Sequence, residues 1–450
     1  MTTSPRKSYR KPRRPPASLR TKVGCLTCRK RRKKCDETPL TCLNCKKQAV
    51  ECFWPSGHPF QTQWDHDLPH SQIGLPQSPV QYSPALTTRS ALLFDFLRTT
   101  FLPQLIRPAA TCRLIELFSR ESLVMATQVP ACMHALLACS GAEIPAQSAD
   151  IQEMTQYHYA KAVAGLRKSL EKQGSAKGWL VTMHTVLMLC IYERSKPRGP
   201  VSAVIHLTGA AQLIHLASQY WKTTSDISEK EHMMQRLVYE SFIFHAATSL
   251  PFHGCDQTTS NIESAFSLAE SHLSQYFHIP VLSHPESPVL GVAPQLFRCS
   301  FAIYRLSQSF SSTQPNQELI HGLETELIHW DRWTSAAALR NAVVGPRLYL
   351  LGCRILLQRM LNSDRSRPDP VVDCLLKEGM SAVQSLQPAL DYFAEYYCWP
   401  FYVLGIHLVE SSDRDCLLAQ IAAFWAATRN GTMKRLSEIL RLSWQAEEVN

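Results

Sequence analysis

The chain has 450 residues, 45% of them apolar, enough for two or three domains and at least one large core. Its net charge of +10 is unevenly spread: residues 1–60 carry 16 Lys/Arg against 3 Asp/Glu, and the remainder carries 31 against 34. No run reaches the ~18 apolar residues of a bilayer span, and no apolar stretch follows the basic start as in a secretion signal.

An intracellular, reducing compartment is therefore expected, and sixteen cysteines there are not a disulfide framework. The concentrated positive head suits a polyanion. The first 22 residues hold Arg6, Lys7, Arg10, Lys11, Arg13, Arg14, Arg20 and Lys22, spaced by prolines. They are expected to form a disordered basic arm, serving nuclear import, DNA backbone contact or both.

Six cysteines follow within 28 residues, as Cys25-x2-Cys28-x6-Cys35-x6-Cys42-x2-Cys45-x6-Cys52. CLTCRKRRKKC and CLNCKKQAVEC share one frame, seventeen residues apart, which predicts two like sites. A structural zinc takes four tetrahedral ligands, and Cys-x2-Cys supplies two thiolates from one turn. Two separate zincs take eight thiolates, and six suffice when two are shared. Four thiolates per metal leave no open position for a reacting water, so both zincs are expected to be structural. So short a segment has little apolar area, and metal binding becomes its folding energy. The other ten cysteines are scattered singly and read as small buried hydrophobes.

Between Cys28 and Cys35 every residue is cationic: Arg29, Lys30, Arg31, Arg32, Lys33 and Lys34. Lys46 and Lys47 occupy the matching start of the second half. Pinned by metal ligands at both ends, such a run cannot relax as a solvated tail would, and it makes a phosphate-binding surface. A single-strand RNA knuckle would want exposed aromatics for stacking. Only Phe53 and Trp54 stand nearby, which ranks that reading low.

Residues 20–55 resemble the fungal binuclear zinc cluster domain of six-cysteine, two-zinc transcription factors. All six cysteines, the basic run after the second and Cys35-Asp36-Glu37 carry the resemblance. It implies two short helices around two zincs, with Cys25 and Cys42 as bridges. Cys28 and Cys35 would complete one site, and Cys45 and Cys52 the other. It also implies a first helix whose far end meets the DNA major groove, usually over a CGG triplet. Arg32, with Arg31 beside it, would contact bases through two donors, and Arg29, Lys30, Lys33, Lys34, Lys46 and Lys47 would meet phosphates. Pro39 stands three residues before Cys42, one further than in many members, so no cis peptide bond is carried over.

From Pro55 to Pro84, six prolines and two Ser-Pro pairs predict a mobile linker, residues 56–85, with His58, His66 and His70 solvated. No heptad zipper follows. Ala91–Leu102 is too short and too uniformly apolar, and reads as a buried helix. The chain is therefore expected to be a monomer, or a homodimer through the large domain, bound to double-stranded DNA and to transcription machinery or co-regulators.

Residues 86–450 read as an all-α domain. In Ser148–Lys172, Tyr159, Val163, Leu166 and Leu170 recur at helical spacing. Trp179–Tyr192 is apolar nearly all round and should be central. Ser202–Ser218 holds Gly209-Ala210-Ala211 for a close helix contact, and Glu231–Thr248 is amphipathic. Further helices are expected near 289–309, 316–333, 338–362, 371–390, 393–410, 413–428 and 432–446. This body resembles the fungal-specific transcription factor domain, through HYAKAVAGLRKSL, VLMLCIYE, HLTGAAQLI and YESFIFHAATSLPF. The resemblance implies an all-α regulatory domain holding effectors or partner proteins.

The body has no His-Glu-x-x-His, phosphate loop, dinucleotide fingerprint or Gly-x-Ser-x-Gly. His206 and His215, nine apart, make a poor metal pair, and Trp330 and Trp333 read as packing. The leading reading is a nuclear, sequence-specific regulator of RNA polymerase II genes, for a pathway or a biosynthetic cluster. The alternative, a DNA-targeted enzyme with its chemistry in the helical body, calls for a cleft of convergent polar side chains.

Overall fold

The computed structural model describes residues 25–36, 42–48, 50, 86–106, 112–144, 148–172, 178–196, 200–220, 228–249, 259–274, 287–309, 317–336, 344–362, 369–391, 395–428 and 431–449. The expectations for the basic arm (1–22), the linker (56–85), Pro39 and Cys52 lie outside these residues. The chain divides into two units, Met1–Leu75 and Pro76–Asn450.

The first unit contains α1 (Leu26–Lys30) and α2 (Leu43–Lys46). Among the described residues, its buried side chains are all cysteines: Cys25, Cys28, Cys35, Cys42 and Cys45. No hydrocarbon core accompanies them there.

The second unit is helical throughout its described residues, with no strand. It opens with α3 (Ala91–Phe96), which runs into a π turn over Leu97–Phe101. There the Leu102 N–H reaches five residues back to the Leu97 carbonyl at 3.0 Å. Leu93, Leu97, Phe101 and Leu102 are buried as expected, while Leu92 points outward. Next come α4 (Cys112–Gln128), α5 (Pro130–Glu143), α6 (Ala149–Lys172), α7 (Trp179–Arg194), α8 (Pro200–Tyr220), α9 (Glu229–Ser249) and α10 (Thr259–Ser274). The C-terminal part holds α11 (Pro294–Ser309), α12 (Gln317–Ala336), α13 (Val344–Leu361), α14 (Pro370–Ser385), α15 (Pro388–Asp391), α16 (Cys398–Gly405), α17 (Ser411–Thr428) and α18 (Gly431–Val449).

As its composition predicts, α7 is central: Thr182 to Glu193 are all buried. It packs against α5, α6, α8 and α9. The C-terminal helices gather on α13, where Tyr349 stacks on Trp399 of α16 at 5.1 Å between ring centroids. Gly352 makes that approach feasible, since a Cβ there would lie 2.8 Å from the Trp399 ring.

Buried charge ties distant elements together. The Glu240 carboxylate accepts from Arg236 Nε at 2.9 Å, Ser287 Oγ at 2.8 Å and the Val289 N–H at 2.9 Å, fastening α9 to the turn before α11. Glu143, at the end of α5, accepts the Gly431 N–H at 2.7 Å and pairs with Arg435 at 3.0 Å, which anchors α18 by its first turn. Arg194 pairs with Glu395 at 2.9 Å.

Three expectations need correction. On α6, Val163 and Leu170 are exposed, and the buried face runs through Ile151, Met154, His158 and Ala162. Small residues are needed there because α5 lies close, and a Cβ on Gly165 would come 3.0 Å from the Ala131 methyl. On α8, Ala210 and Ala211 are fully buried, but Gly209 faces open space. Of the scattered cysteines, Cys132, Cys139, Cys190, Cys299 and Cys353 are buried, Cys398 and Cys416 half-buried, and Cys374 exposed on the outer side of α14.

Candidate metal centre and nucleic-acid interface

The sequence repeat becomes a repeat of geometry. Cys25 and Cys42 are the N-caps of α1 and α2, at φ −57°, ψ 149° and φ −63°, ψ 148°. Each sulfur accepts the N–H three residues on: Cys28 N–H to Cys25 Sγ at 3.2 Å, and Cys45 N–H to Cys42 Sγ at 3.4 Å. One residue thus caps its helix and aims its thiol at the centre, which is the local reason for the x2 spacing. The Cys25 N–H also donates to Cys35 Sγ at 3.4 Å.

The sulfurs converge. Cys25 and Cys42 lie 3.8 Å apart, Cys25 and Cys45 3.8 Å, Cys28 and Cys42 3.6 Å, and Cys28 and Cys45 3.9 Å. The ligand atoms of Cys25, Cys28, Cys35 and Cys42 all lie within 4.8 Å of one another. These are the four residues that the resemblance assigns to one zinc. None of these cysteines is in a disulfide. With Zn–S near 2.3 Å, a tetrahedron's S···S edge is about 3.8 Å, so this donor set fits zinc in both chemistry and spacing.

Crowding pulls the thiols in opposite directions. Burial, then bonds with the Cys42, Cys25 and Cys45 thiols, pushes Cys28 far above the ordinary thiol value. Burial also acts upward on Cys42. The Cys45 N–H and the thiols of Cys45, Cys28 and Cys35 outweigh it and carry Cys42 below that value. Thiols this close cannot all ionise alone, and bound dications remove the conflict.

The basic run wraps the end of α1. Arg31 is the C-cap, and Arg32 follows at φ 54°, the one non-glycine residue at positive φ among the described residues. The Lys33 N–H bonds the Cys28 carbonyl and the Arg32 N–H bonds the Arg29 carbonyl, both at 3.0 Å. This is a Schellman closure, with arginine where glycine is usual. Arg29, Lys30, Arg32, Lys33 and Lys34 are exposed, as is Lys47, which follows Lys46 at the end of α2. Arg31 differs: it is half-buried, and its Nη1 is enclosed without a hydrogen-bond partner among the described residues.

One structural residue was seen in the sequence only as part of a motif. The Asp36 carboxylate accepts the Leu43 N–H at 2.9 Å and the Asn44 N–H at 3.0 Å, holding the first two amides of α2. Asn44 Nδ2 returns a bond to the Lys34 carbonyl at 2.6 Å. These contacts set the two halves of the knob against each other. An acid directly after a ligand cysteine, one loop before the next Cys-x2-Cys, was the available signal.

In the helical unit, His206 and His215 do not meet. His206 Nε2 lies 3.5 Å from Tyr159 Oη, and His215 Nε2 lies 3.4 Å from the Asn261 carbonyl. Trp330 and Trp333 pack edge to face at 5.5 Å, and Trp330 Nε1 donates to Glu326 Oε1 at 3.1 Å. No helix among the described residues is long and apolar enough to cross a membrane.

Two family models match the chain: the fungal Zn(2)-Cys(6) binuclear cluster domain over residues 23–56, and the fungal specific transcription factor domain over residues 104–450. The second spans more than half of the sequence, and the chain belongs to that family. It is a fungal DNA-binding transcription factor whose N-terminal cluster binds two zinc ions. Both families are transcription factor domains rather than enzymes, which implies action in the nucleus. No curated protein and no solved structure matches the chain.

Proposed function

We propose that the chain is a nuclear, sequence-specific regulator of RNA polymerase II genes that reads CGG-type triplets in the major groove. In this reading Cys25 and Cys42 bridge the zincs, Cys28 and Cys35 complete one site, and Cys45 and Cys52 the other. Arg32 contacts a base edge, with Arg31 at its side. Arg29, Lys30, Lys33, Lys34, Lys46 and Lys47 hold phosphates and set register. Residues 1–22 act as a basic arm, 23–55 as the DNA-binding domain, 56–85 as a linker and 86–450 as the regulatory domain. The chain engages co-regulators as a monomer, or as a homodimer through its helices.

The observation that carries this reading is the placement of Arg32. It is exposed, fixed by backbone bonds just beyond α1, and tethered between Cys28 and Cys35. A cation held so firmly presents direction as well as charge, and direction is what base recognition requires. The test is a selection from randomised duplexes with the zinc-loaded full chain. Enrichment of a CGG-containing site is expected, single for a monomer and paired at fixed spacing for a dimer. Recovery of unrelated sequences would end the proposal.

A further inference from the structure

The Gly209-Ala210-Ala211 run of α8 signals a close helix contact, yet the fold of one chain uses only its alanines. Ala210 and Ala211 are fully buried, whereas a Cβ on Gly209 would meet nothing within 4 Å among the described residues. Glycine inside a helix is destabilising relative to alanine, and nothing in the packing of α8 requires it there. Its neighbours along the same side are exposed: Ile205 at 64%, Gln212, and Leu216 at 54%. The four residues recur at i, i+4, i+7 and i+11, which aligns them in one stripe about 17 Å long.

A helix with one side in solvent ordinarily carries its charges on that side. α8 has 21 residues and no Asp, Glu, Lys or Arg. Gly322 of α12 also meets nothing within 4 Å, but Glu318 and Glu326 stand one turn to either side of it, as suits a solvated face. On α8 the equivalent places are held by Ile205 and Leu213. Such a face suits an uncharged partner surface. A charged one would lose its water there and find nothing on α8 to pair with.

We propose that this stripe docks a second copy of the chain, as an antiparallel pair of α8 helices about a two-fold axis. With the axis between Ala210 and Ala211, Ile205 of one copy packs on Leu216 of the other. Gln212 of one copy lies across Gly209 of the other, and the symmetry makes each contact twice. Gly209 lets the helices approach, which gives the exposed glycine its use. The same charge-free surface on both sides brings no like charges together. One helix pair is smaller than a standard interface, so the association is weak and depends on concentration. The inference rests on the reading of a homodimer through the helices, and not on which DNA sequence the cluster recognises.

The experiment is sedimentation velocity of the zinc-loaded full chain, without DNA, over a concentration series reaching about 100 µM. The expected result is a monomer–dimer equilibrium. Ile205→Lys and Leu216→Glu, both at exposed positions, should each weaken it at least tenfold. The chain carrying both substitutions should recover it, because each lysine then meets a glutamate of the other copy. Gly209→Leu should weaken the dimer as strongly while Tm at low concentration stays level or rises, since the monomer has room for the side chain and leucine favours the helix. The proposal is overturned by a wild-type chain that stays monomeric throughout, by a dimer indifferent to the single substitutions, or by no recovery in the double variant. A monomer would leave base recognition by the cluster standing. A dimer untouched by the substitutions would keep the homodimer reading and strike only this face.

Discussion

The knob and the helical unit are folded by different forces. In the knob, the buried side chains among the described residues are five cysteines, and α1 and α2 are five and four residues long. Helices of that length do not persist in water by themselves. In the helical unit, one continuous core runs from Leu86 to Trp444, built from aliphatic and aromatic side chains. Metal coordination does for the first region what apolar burial does for the second. The lesson is that each region should be breakable while the other stands.

The largest expected effect is metal removal. A strong chelator should unfold residues 25–50 and abolish duplex binding, a loss on the order of 10–16 kcal/mol of binding-coupled folding. The helical far-UV signal, dominated by α3 to α18, should persist. A parallel collapse of both signals would refute separate stabilisation. From the other side, Glu240→Ala should destabilise the helical unit by about 3–5 kcal/mol, because Arg236 loses its buried partner. Zinc content, measured by colorimetric release, should stay unchanged.

Acid should also destabilise the helical unit. Burial pushes His184 down to about 4, whereas an unfolded histidine titrates near 6.5. Between those values the unfolded chain takes up a proton that the folded state refuses. Stability is therefore fully present above about 6.5 and falls as pH drops toward 4, by on the order of 3 kcal/mol from this residue. Denaturant titrations at pH 7 and pH 5 should show a smaller acid loss in His184→Phe than in the wild type. His134, His158 and His272 are likewise pushed to about 4 by burial, so some acid loss should remain.

The smallest expected effect separates structure from recognition within the knob. Arg32 at φ 54° bears a left-handed backbone cost of about 1–2 kcal/mol that glycine escapes. Arg32→Gly should tighten zinc retention in a chelator competition while lowering duplex affinity. A variant that gained zinc retention and kept full affinity would show Arg32 to be only a strained cap.

The two regions also differed in how much of them could be read from sequence. The cysteine frame was legible because metal spacing is local: Cys25 to Cys28 and Cys42 to Cys45 each lie within one helical turn. The tie from Asp36 to α2 crosses a loop, so spacing alone did not display it. In the helical unit, helices were legible and faces less so. Large apolar residues at helical spacing suggested one stripe on α6, but tertiary proximity to α5 selected the narrower stripe containing Ala162 and Gly165. The segments α4, α5 and α10 were not individually marked. In α5 the apolar residues surround the helix, which erases periodicity. In α10 the spacing of Ile262, Ala265, Phe266, Ala269 and Leu273 was there to be seen.

The most direct test of a zinc-held knob that reads sequence is a salt series of duplex affinities. Wild-type chain and Arg32→Ala would be compared on a CGG-containing duplex and on a shuffled one. The expected result is a wild-type preference that survives rising salt. Arg32→Ala should lose about 1–3 kcal/mol on the CGG duplex and little on the shuffled one. Equal wild-type affinity for both duplexes, falling in parallel with salt, would mean that the cations bind phosphate alone.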